Sequence, residues 1–189
     1  MRDIVVFEGI ASSGKTTLEK ILAERLGNAT ILSEEKSLMP IIDNEDKNIA
    51  LQHLEVLLRE VKERRNESFI IDRFHLTHAF RTGSRLGDFS EVENELANEG
   101  RVLMILLTID PEHIKERIEE AALFRKDKWK KGAQGSIEEK ETYYRRQQEI
   151  LKSLLLQSTL PSLTIDTTDK AWEKYTDVIL EELEKAHSE

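Results

Sequence analysis

Short apolar runs alternate along the chain with longer stretches in which apolar residues recur every three or four positions. Ile4 to Phe7 is a β-branched and aromatic run of strand length, and after a glycine-bearing turn Leu18, Ile21, Leu22 and Leu26 fall at helical spacing until Gly27-Asn28. Thr30 to Leu32 reads as a second strand leading into polar Ser33-Glu34-Glu35. A helix with Ala50, Leu54, Leu57, Leu58 and Val61 on one face follows and closes on Lys62 to Arg65. Phe69-Ile70-Ile71 is a third strand that stops at Asp72-Arg73-Phe74, and His75 to Gly87 is the least regular stretch. Ser90 to Glu93 has the spacing of a capping box opening a short helix that ends near Gly100. Val102 to Thr108 is the strongest strand pattern, and Asp110-Pro111 supplies an N-cap and a first-turn proline for a helix carrying Ile114 and Ile118. A second capping box, Ser136 to Glu139, opens another helix. Leu163 to Ile165 makes a fifth strand, and Trp172, Tyr175, Ile179 and Leu183 form one stripe of a terminal helix. Strands that are apolar throughout and alternate with helices predict a three-layer, doubly wound α/β domain with a five-stranded parallel sheet flanked by helices. In such sheets ligands bind outside the carboxyl ends of the strands, so the residues just after each strand are the ones to interrogate.

Composition narrows the picture. The 189 residues suit a single domain over 1–189, with no repeat, and three prolines leave no evident linker. The absence of cysteine excludes disulfides and thiolate metal sites, and no run reads as a signal peptide or membrane span, so the cytoplasm is the expected compartment. A formal charge of −9 argues against a broad nucleic-acid surface, because backbone binding needs a basic footprint.

The chemistry concentrates in Gly9-Ile10-Ala11-Ser12-Ser13-Gly14-Lys15-Thr16, which fits GxxxxGK[ST] between a strand and an amphipathic helix, the context of a P-loop NTPase fold. The glycines let backbone N–H groups curl around phosphate oxygens beside a helix N-terminus whose dipole favours anions. Lys15 is then expected to reach the β- and γ-phosphates of ATP, Thr16 to ligate Mg²⁺, and Thr17 to add a phosphate contact. Asp72, closing a buried strand, is the candidate for the second Mg²⁺ contact, with capping of the next turn as the bland alternative. Arg73 suits bidentate phosphate recognition. Phe124 to Lys131, FRKDKWKK, carries five basic residues and one acid, and with Arg117 and Arg125 it reads as a basic lid over about 117–135. Glu34 or Glu35 could serve as a general base, and His75 and His78 could touch a substrate, whereas His53 reads as structural.

With these pieces in place the chain resembles the P-loop nucleoside and nucleotide kinases, especially the thymidylate kinases. Phe7-Glu8-Gly9-Ile10 before Ser13-Gly14-Lys15-Thr16-Thr17 is similar to that family's opening, and Asp72-Arg73 with the following aromatic resembles its DR motif. Thr108 to Ile118, TIDPEHIKERI, is similar to the strand and helix that lead to its lid. Leu163 to Thr168, LTIDTT, resembles the final strand and the turn that packs near adenine, which implies nucleotide contacts for Asp166, Thr167 and Thr168. The resemblance further implies that Arg73 binds the acceptor and that Arg117 and Arg125 act on the nucleotide phosphates. Two departures bear on substrate: Ala11 stands where that family has Asp, and Gln52-His53-Leu54-Glu55 where it has a helix arginine. In the related deoxynucleoside kinases a Glu after the second strand is the base, which Glu34 resembles, while Asp72-Arg73-Phe74 matches their Glu-Arg-Ser motif only at its Arg.

The expected partners are therefore a nucleoside triphosphate and a small phosphoryl acceptor, either a nucleoside monophosphate or a nucleoside-like hydroxyl compound. A phosphate acceptor is largely ionised near neutrality and needs positioning cations, whereas a hydroxyl must lose a proton, and the sequence offers candidates for both. A polynucleotide 5′-hydroxyl kinase and a nucleotide-binding switch are the rival classes; no NKxD guanine-reading motif is present. The apolar helix faces could include a homodimer patch.

Overall fold

The computed structural model describes residues 2–27, 29–124 and 135–185. Five strands, β1 (Asp3–Gly9), β2 (Ala29–Leu32), β3 (Ser68–Asp72), β4 (Arg101–Thr108) and β5 (Ser162–Asp166), pair in parallel in the order β2-β3-β1-β4-β5. The helices are α1 (Lys15–Leu26), α2 (Glu34–Ser37), α3 (Lys47–Glu63), α4 (His75–Thr82), α5 (Ser90–Ala97), α6 (Ile114–Phe124), α7 (Ile137–Leu155) and α8 (Trp172–Lys185).

Alternation along β1 divides the interior into two layers. Ile4 and Val6 pack with Phe69, Ile71, Met104 and Leu106 against α3, α4, α5 and α7, while Val5 and Phe7 pack with Ile70, Ile105 and Leu107 against α1 and α8. A smaller apolar cluster of Ile10, Ile109, Ile114, Ile118 and Tyr144 lies beyond the carboxyl ends of the strands. The expected three-layer architecture is thus realised, with β1 central. The chain passes from β1 to the β2-β3 side and later to the β4-β5 side, so the crevice above β1 is the switch point at which parallel sheets bind ligands. Among the described residues no helix is long and apolar enough to cross a membrane.

Two local expectations are corrected. His75 to Gly87 is not irregular: it contains α4 and a 3-10 turn at Leu86–Phe89. The first-turn donors of α4 have no cap from Phe74; instead Glu8, wholly buried at the end of β1, accepts from the backbone N–H of Phe74 (2.9 Å), Leu76 (3.1 Å) and Thr77 (3.2 Å) and from the Thr77 hydroxyl. The Ser90–Glu93 capping box does not form, because the 3-10 turn runs straight into α5 and makes Ser90 its first helical residue. Glu93 is turned away to accept from the Ser158 hydroxyl (2.7 Å) and the Leu160 amide (3.1 Å), fastening the segment before β5. Asp110 caps the turn before α6 through the Glu112 amide, and the Ser136–Glu139 capping box opens α7 as expected.

Candidate active site

The loop after β1 is built on backbone that only small residues accept readily. Gly9 (φ 144°), Ser12 (φ 67°) and Gly14 (φ 94°) all have positive φ, and Gly14 forms the N-cap of α1 without a side-chain cap. A Cβ at Gly9 would lie 2.6 Å from the Leu107 carbonyl oxygen, so β4 presses against the loop where it leaves the sheet. The uncapped first-turn N–H groups of α1 are of the kind that bind an oxyanion. Lys15 is buried and its Nζ donates to the carbonyls of Gly9 (3.3 Å) and Ile10 (3.1 Å). Burial lowers its pKa and the Arg73 charge adds to this, against the opposing pull of Asp72, Glu34 and Glu19. Such an ammonium gains strongly from any nearby phosphate oxygen. Thr16 and Thr17 are exposed beside it, and Ala11 packs against the apolar cluster around Ile10.

The rear of the loop is fastened by residues from α6 and from the turn after β5. The Thr167 hydroxyl, fully buried, shares its one proton between the carbonyls of Ser13 (2.8 Å) and Thr108 (3.0 Å). Arg117 on α6 donates from Nε (3.2 Å) and Nη2 (2.9 Å) to the Ser12 carbonyl and from Nη1 to that of Thr167 (3.2 Å), and its guanidinium lies 5.5 Å from the Trp172 ring centroid. Asp166 and Thr168 are tied to each other through the Thr168 amide (2.9 Å), and the Thr168 hydroxyl accepts from the Asp110 amide (2.7 Å). Of the residues expected near the nucleotide, the structure therefore brings Gly9 to Thr17, Arg117 and Thr167 into one unit, with Asp166 and Thr168 at its margin. Arg125 and most of the basic run lie outside the described residues.

On the other side, β3 delivers Asp72 and Arg73. Arg73 adopts a left-handed backbone conformation (φ 67°) in which its amide donates to the Phe7 carbonyl (2.8 Å). Its side chain, buried, donates from Nη1 to the Gly9 carbonyl (2.9 Å) and from Nε to Glu34 (2.9 Å). Burial works against the guanidinium charge, but Glu34, Asp72 and Glu8 more than offset it and keep Arg73 firmly protonated. Glu34 stands at the start of α2, whose end is held when the Ser37 hydroxyl donates to the Asp72 carbonyl.

Asp72 Oδ1 and Glu19 Oε1 are buried next to Lys15 with no N–H or hydroxyl donor among the described residues, and the two carboxyls hydrogen-bond to each other. Burial, with the Asp72 charge, pushes Glu19 up to about 8, and burial raises Asp72 as well. Among the described residues no group of three or more His, Cys, Asp or Glu is arranged to hold a metal ion. Two facing buried carboxyls, which a cation would strip of the proton they share, and an exposed threonine hydroxyl nonetheless fit a hard cation that takes its remaining oxygens from a polyphosphate and water, as Mg²⁺ does. Glu19 escaped the reading of the sequence, although a charge in the middle of the apolar positions Leu18 and Leu22 was the signal available. Glu8, inside the β1 run, was missed in the same way.

His75 and His78 each face a protein group. His75 is buried 3.5 Å from Glu93, whereas His78 Nε2 pairs with the Ser37 carbonyl at 3.0 Å. His53 Nε2 lies 2.9 Å from the Lys36 carbonyl, the structural role expected of it. Burial lowers the His78 pKa to about 4 from the ordinary 6.5. The unfolded chain then takes up this proton below about pH 6.5 and the native protein only near pH 4, so stability falls as the pH drops between these values, by up to roughly 3 kcal/mol. Urea midpoints at pH 7 and pH 5 should differ more for the wild type than for His78→Gln; equal differences would show that His78 contributes nothing to the acid sensitivity.

No protein-family profile matches the chain, and no curated protein matches it in sequence. Solved structures do. The YorR protein of Bacillus subtilis, determined with phosphorylated GDP, is 17% identical with a TM-score of 0.67, covering 98% of this chain and 98% of that one. Shikimate kinase from Acinetobacter baumannii, determined with shikimate, is 17% identical (TM-score 0.62; 98% and 94% covered). Thymidylate kinase from Candida albicans is 16% identical (TM-score 0.53; 98% and 92% covered). The chain has the fold of the P-loop kinases, as its resemblance to them implied.

Proposed function

We propose that this protein is a P-loop kinase that transfers the γ-phosphoryl group of ATP, with Mg²⁺, to a hydroxyl of a small nucleoside-like acceptor. The observation that carries the acceptor class is the Glu34–Arg73 pair, 2.9 Å apart at the edge of the phosphate loop. A dianionic phosphate placed on Arg73 would meet the Glu34 carboxylate, whereas a hydroxyl placed there finds a carboxylate to take its proton and a guanidinium that keeps that carboxylate oriented. The shikimate-bound kinase among the structural neighbours is in keeping with a hydroxyl acceptor.

In this reading the loop N–H groups and Lys15 hold the β- and γ-phosphates, Arg117 and Thr167 keep the loop in shape, and Arg73 and Glu34 place the acceptor oxygen in line. Asp72, Glu19 and Thr16 would hold Mg²⁺, which neutralises charge on the transferring group. Catalysis is then mainly positioning and charge stabilisation, as a loose phosphoryl-transfer state demands.

A monophosphate acceptor is the second reading. It is favoured by the proximity of the Arg73 and Lys15 charges, close enough for Arg73 to depress the Lys15 pKa. Nucleosides, nucleoside monophosphates, shikimate and a 5′-hydroxyl oligonucleotide, each added with ATP-Mg²⁺ and scored for ADP, separate the classes. Glu34→Gln should lower kcat about 10²- to 10³-fold with a hydroxyl acceptor and leave ATP binding unchanged. Stimulation by monophosphates alone, with Glu34→Gln as active as the wild type, would overturn the hydroxyl assignment.

A further inference from the structure

The residues that phosphate chemistry leaves unused lie along α4. Arg81 is half-buried, and its Nη2 donates to the carbonyl oxygens of Ile41 (3.4 Å) and Ile42 in the segment between α2 and α3. Its Nη1 is enclosed by the protein and has no hydrogen-bond partner among the described residues. A charged donor withdrawn from water without an acceptor is costly, so a side chain held this way by one nitrogen leaves the other to be matched by something outside the fold. Burial lowers the proton affinity of Arg81 and the Arg73 charge adds to the effect, opposed by Tyr143 and Glu45.

An aromatic wall stands beside it. Phe80 on α4 meets Tyr143 on α7 edge-on at 5.8 Å between centroids, and Tyr143 meets Tyr144 at 5.5 Å. Tyr143 is half-exposed and feels the charges of both Arg81 and Arg73, and Arg73 in turn feels Tyr144. Two guanidinium groups, Arg73 just before α4 and Arg81 in its last turn, therefore act electrostatically on the same tyrosine. Seven helical steps from Phe74 to Arg81 amount to roughly 10 Å, comparable to the span of a nucleoside from its 5′ oxygen to the far edge of its base.

Resting on the reading of the chain as a kinase for a nucleoside-like acceptor, we propose that Arg81 is the specificity-determining residue for the far end of that acceptor. A rotamer shift of its stem about the Nη2 anchor presents Nη1 to a hydrogen-bond-accepting oxygen, while Phe80 and Tyr143 lie against the acceptor's ring. The oxygen is the keto oxygen of a nucleobase or the carboxylate of a cyclic polyol. A base edge that carries an amino group instead sets donor against donor and is rejected.

Calorimetric titration of the full chain, loaded with Mg²⁺ and a non-hydrolysable ATP analogue, tests this without turnover. Guanosine or thymidine should bind at least about 10-fold more tightly than adenosine, and Arg81→Met should lose roughly 10- to 100-fold of that affinity, erase the preference and leave the affinity for the ATP analogue within twofold. If shikimate is instead the compound whose affinity falls in Arg81→Met, the oxygen is a carboxylate. Arg81→Lys, which keeps a donor for the Ile42 carbonyl but loses the planar fork, is read in the same way should Arg81→Met fail to fold by thermal melting, and the preference should weaken in it too. Equal affinities in wild type and variant, an equal loss for adenosine and the keto nucleosides, or no binding of any of the four compounds would overturn the proposal. The kinase reading fails separately, if wild type forms no more ADP with any acceptor than Lys15→Ala does.

Discussion

Lys15→Ala should form ADP at least about 10²- to 10³-fold more slowly than the wild type, with a circular dichroism melt close to it. In the proposed reading this ammonium is the loop's own cation for the phosphates, and removing a preorganised donor to developing charge typically has an effect of that size. The fold is expected to survive because the hydrogen bonds of Lys15 Nζ stay within its own loop, to the carbonyls of Gly9 at 3.3 Å and Ile10 at 3.1 Å. Near-normal turnover in this variant would remove the phosphotransferase assignment altogether.

The second large effect belongs to a residue with no place in the chemistry. Glu8→Ala leaves the Phe74, Leu76 and Thr77 amides without an acceptor at the buried start of α4. Each lost hydrogen bond to a charged acceptor is worth about 1.5–3 kcal/mol, so the total for the three amides should reach roughly 4.5–9 kcal/mol. Against a domain stability of about 5–15 kcal/mol, that brings the protein near its unfolding threshold. Glu8→Gln, which keeps one acceptor oxygen, should fall between the two in urea midpoint. An Glu8→Ala midpoint equal to the wild-type value would mean that α4 is held by packing alone. Because α4 begins two residues after Arg73, acceptor binding should weaken in parallel with stability.

Where the chain's own local signals are self-sufficient, the sequence is legible. The five strands, the loop between β1 and α1, the Asp110 cap and the Ser136–Glu139 box each depend on residues a few positions apart, and all are found as expected. The failures are tertiary. Helix α4 has no cap within its own segment because the acceptor comes from Glu8, 66 residues away from Phe74. The Ser90–Glu93 spacing is that of a capping box, yet Glu93 has a better set of donors in the segment 158–160, and a one-dimensional pattern cannot weigh the two. The phosphate loop was readable because its glycines and lysine are contiguous. Glu19, Glu8 and Arg81 were not, because each matters through a neighbour brought from a different element, and the only trace in the sequence is a charge at a position whose surroundings are apolar.

The fastening of the loop by Thr167 and Arg117 also sets an order of events during synthesis. Ser13 and its hydrogen-bond partner Thr167 are separated by 154 positions, which at about 5–20 residues per second is on the order of ten to thirty seconds of translation. For that interval the signature loop emerges and waits without the contacts that shape it. The stretch most easily recognised in the sequence is thus among the last to acquire its final geometry, which it reaches only once the final strand and the turn after it have joined the sheet.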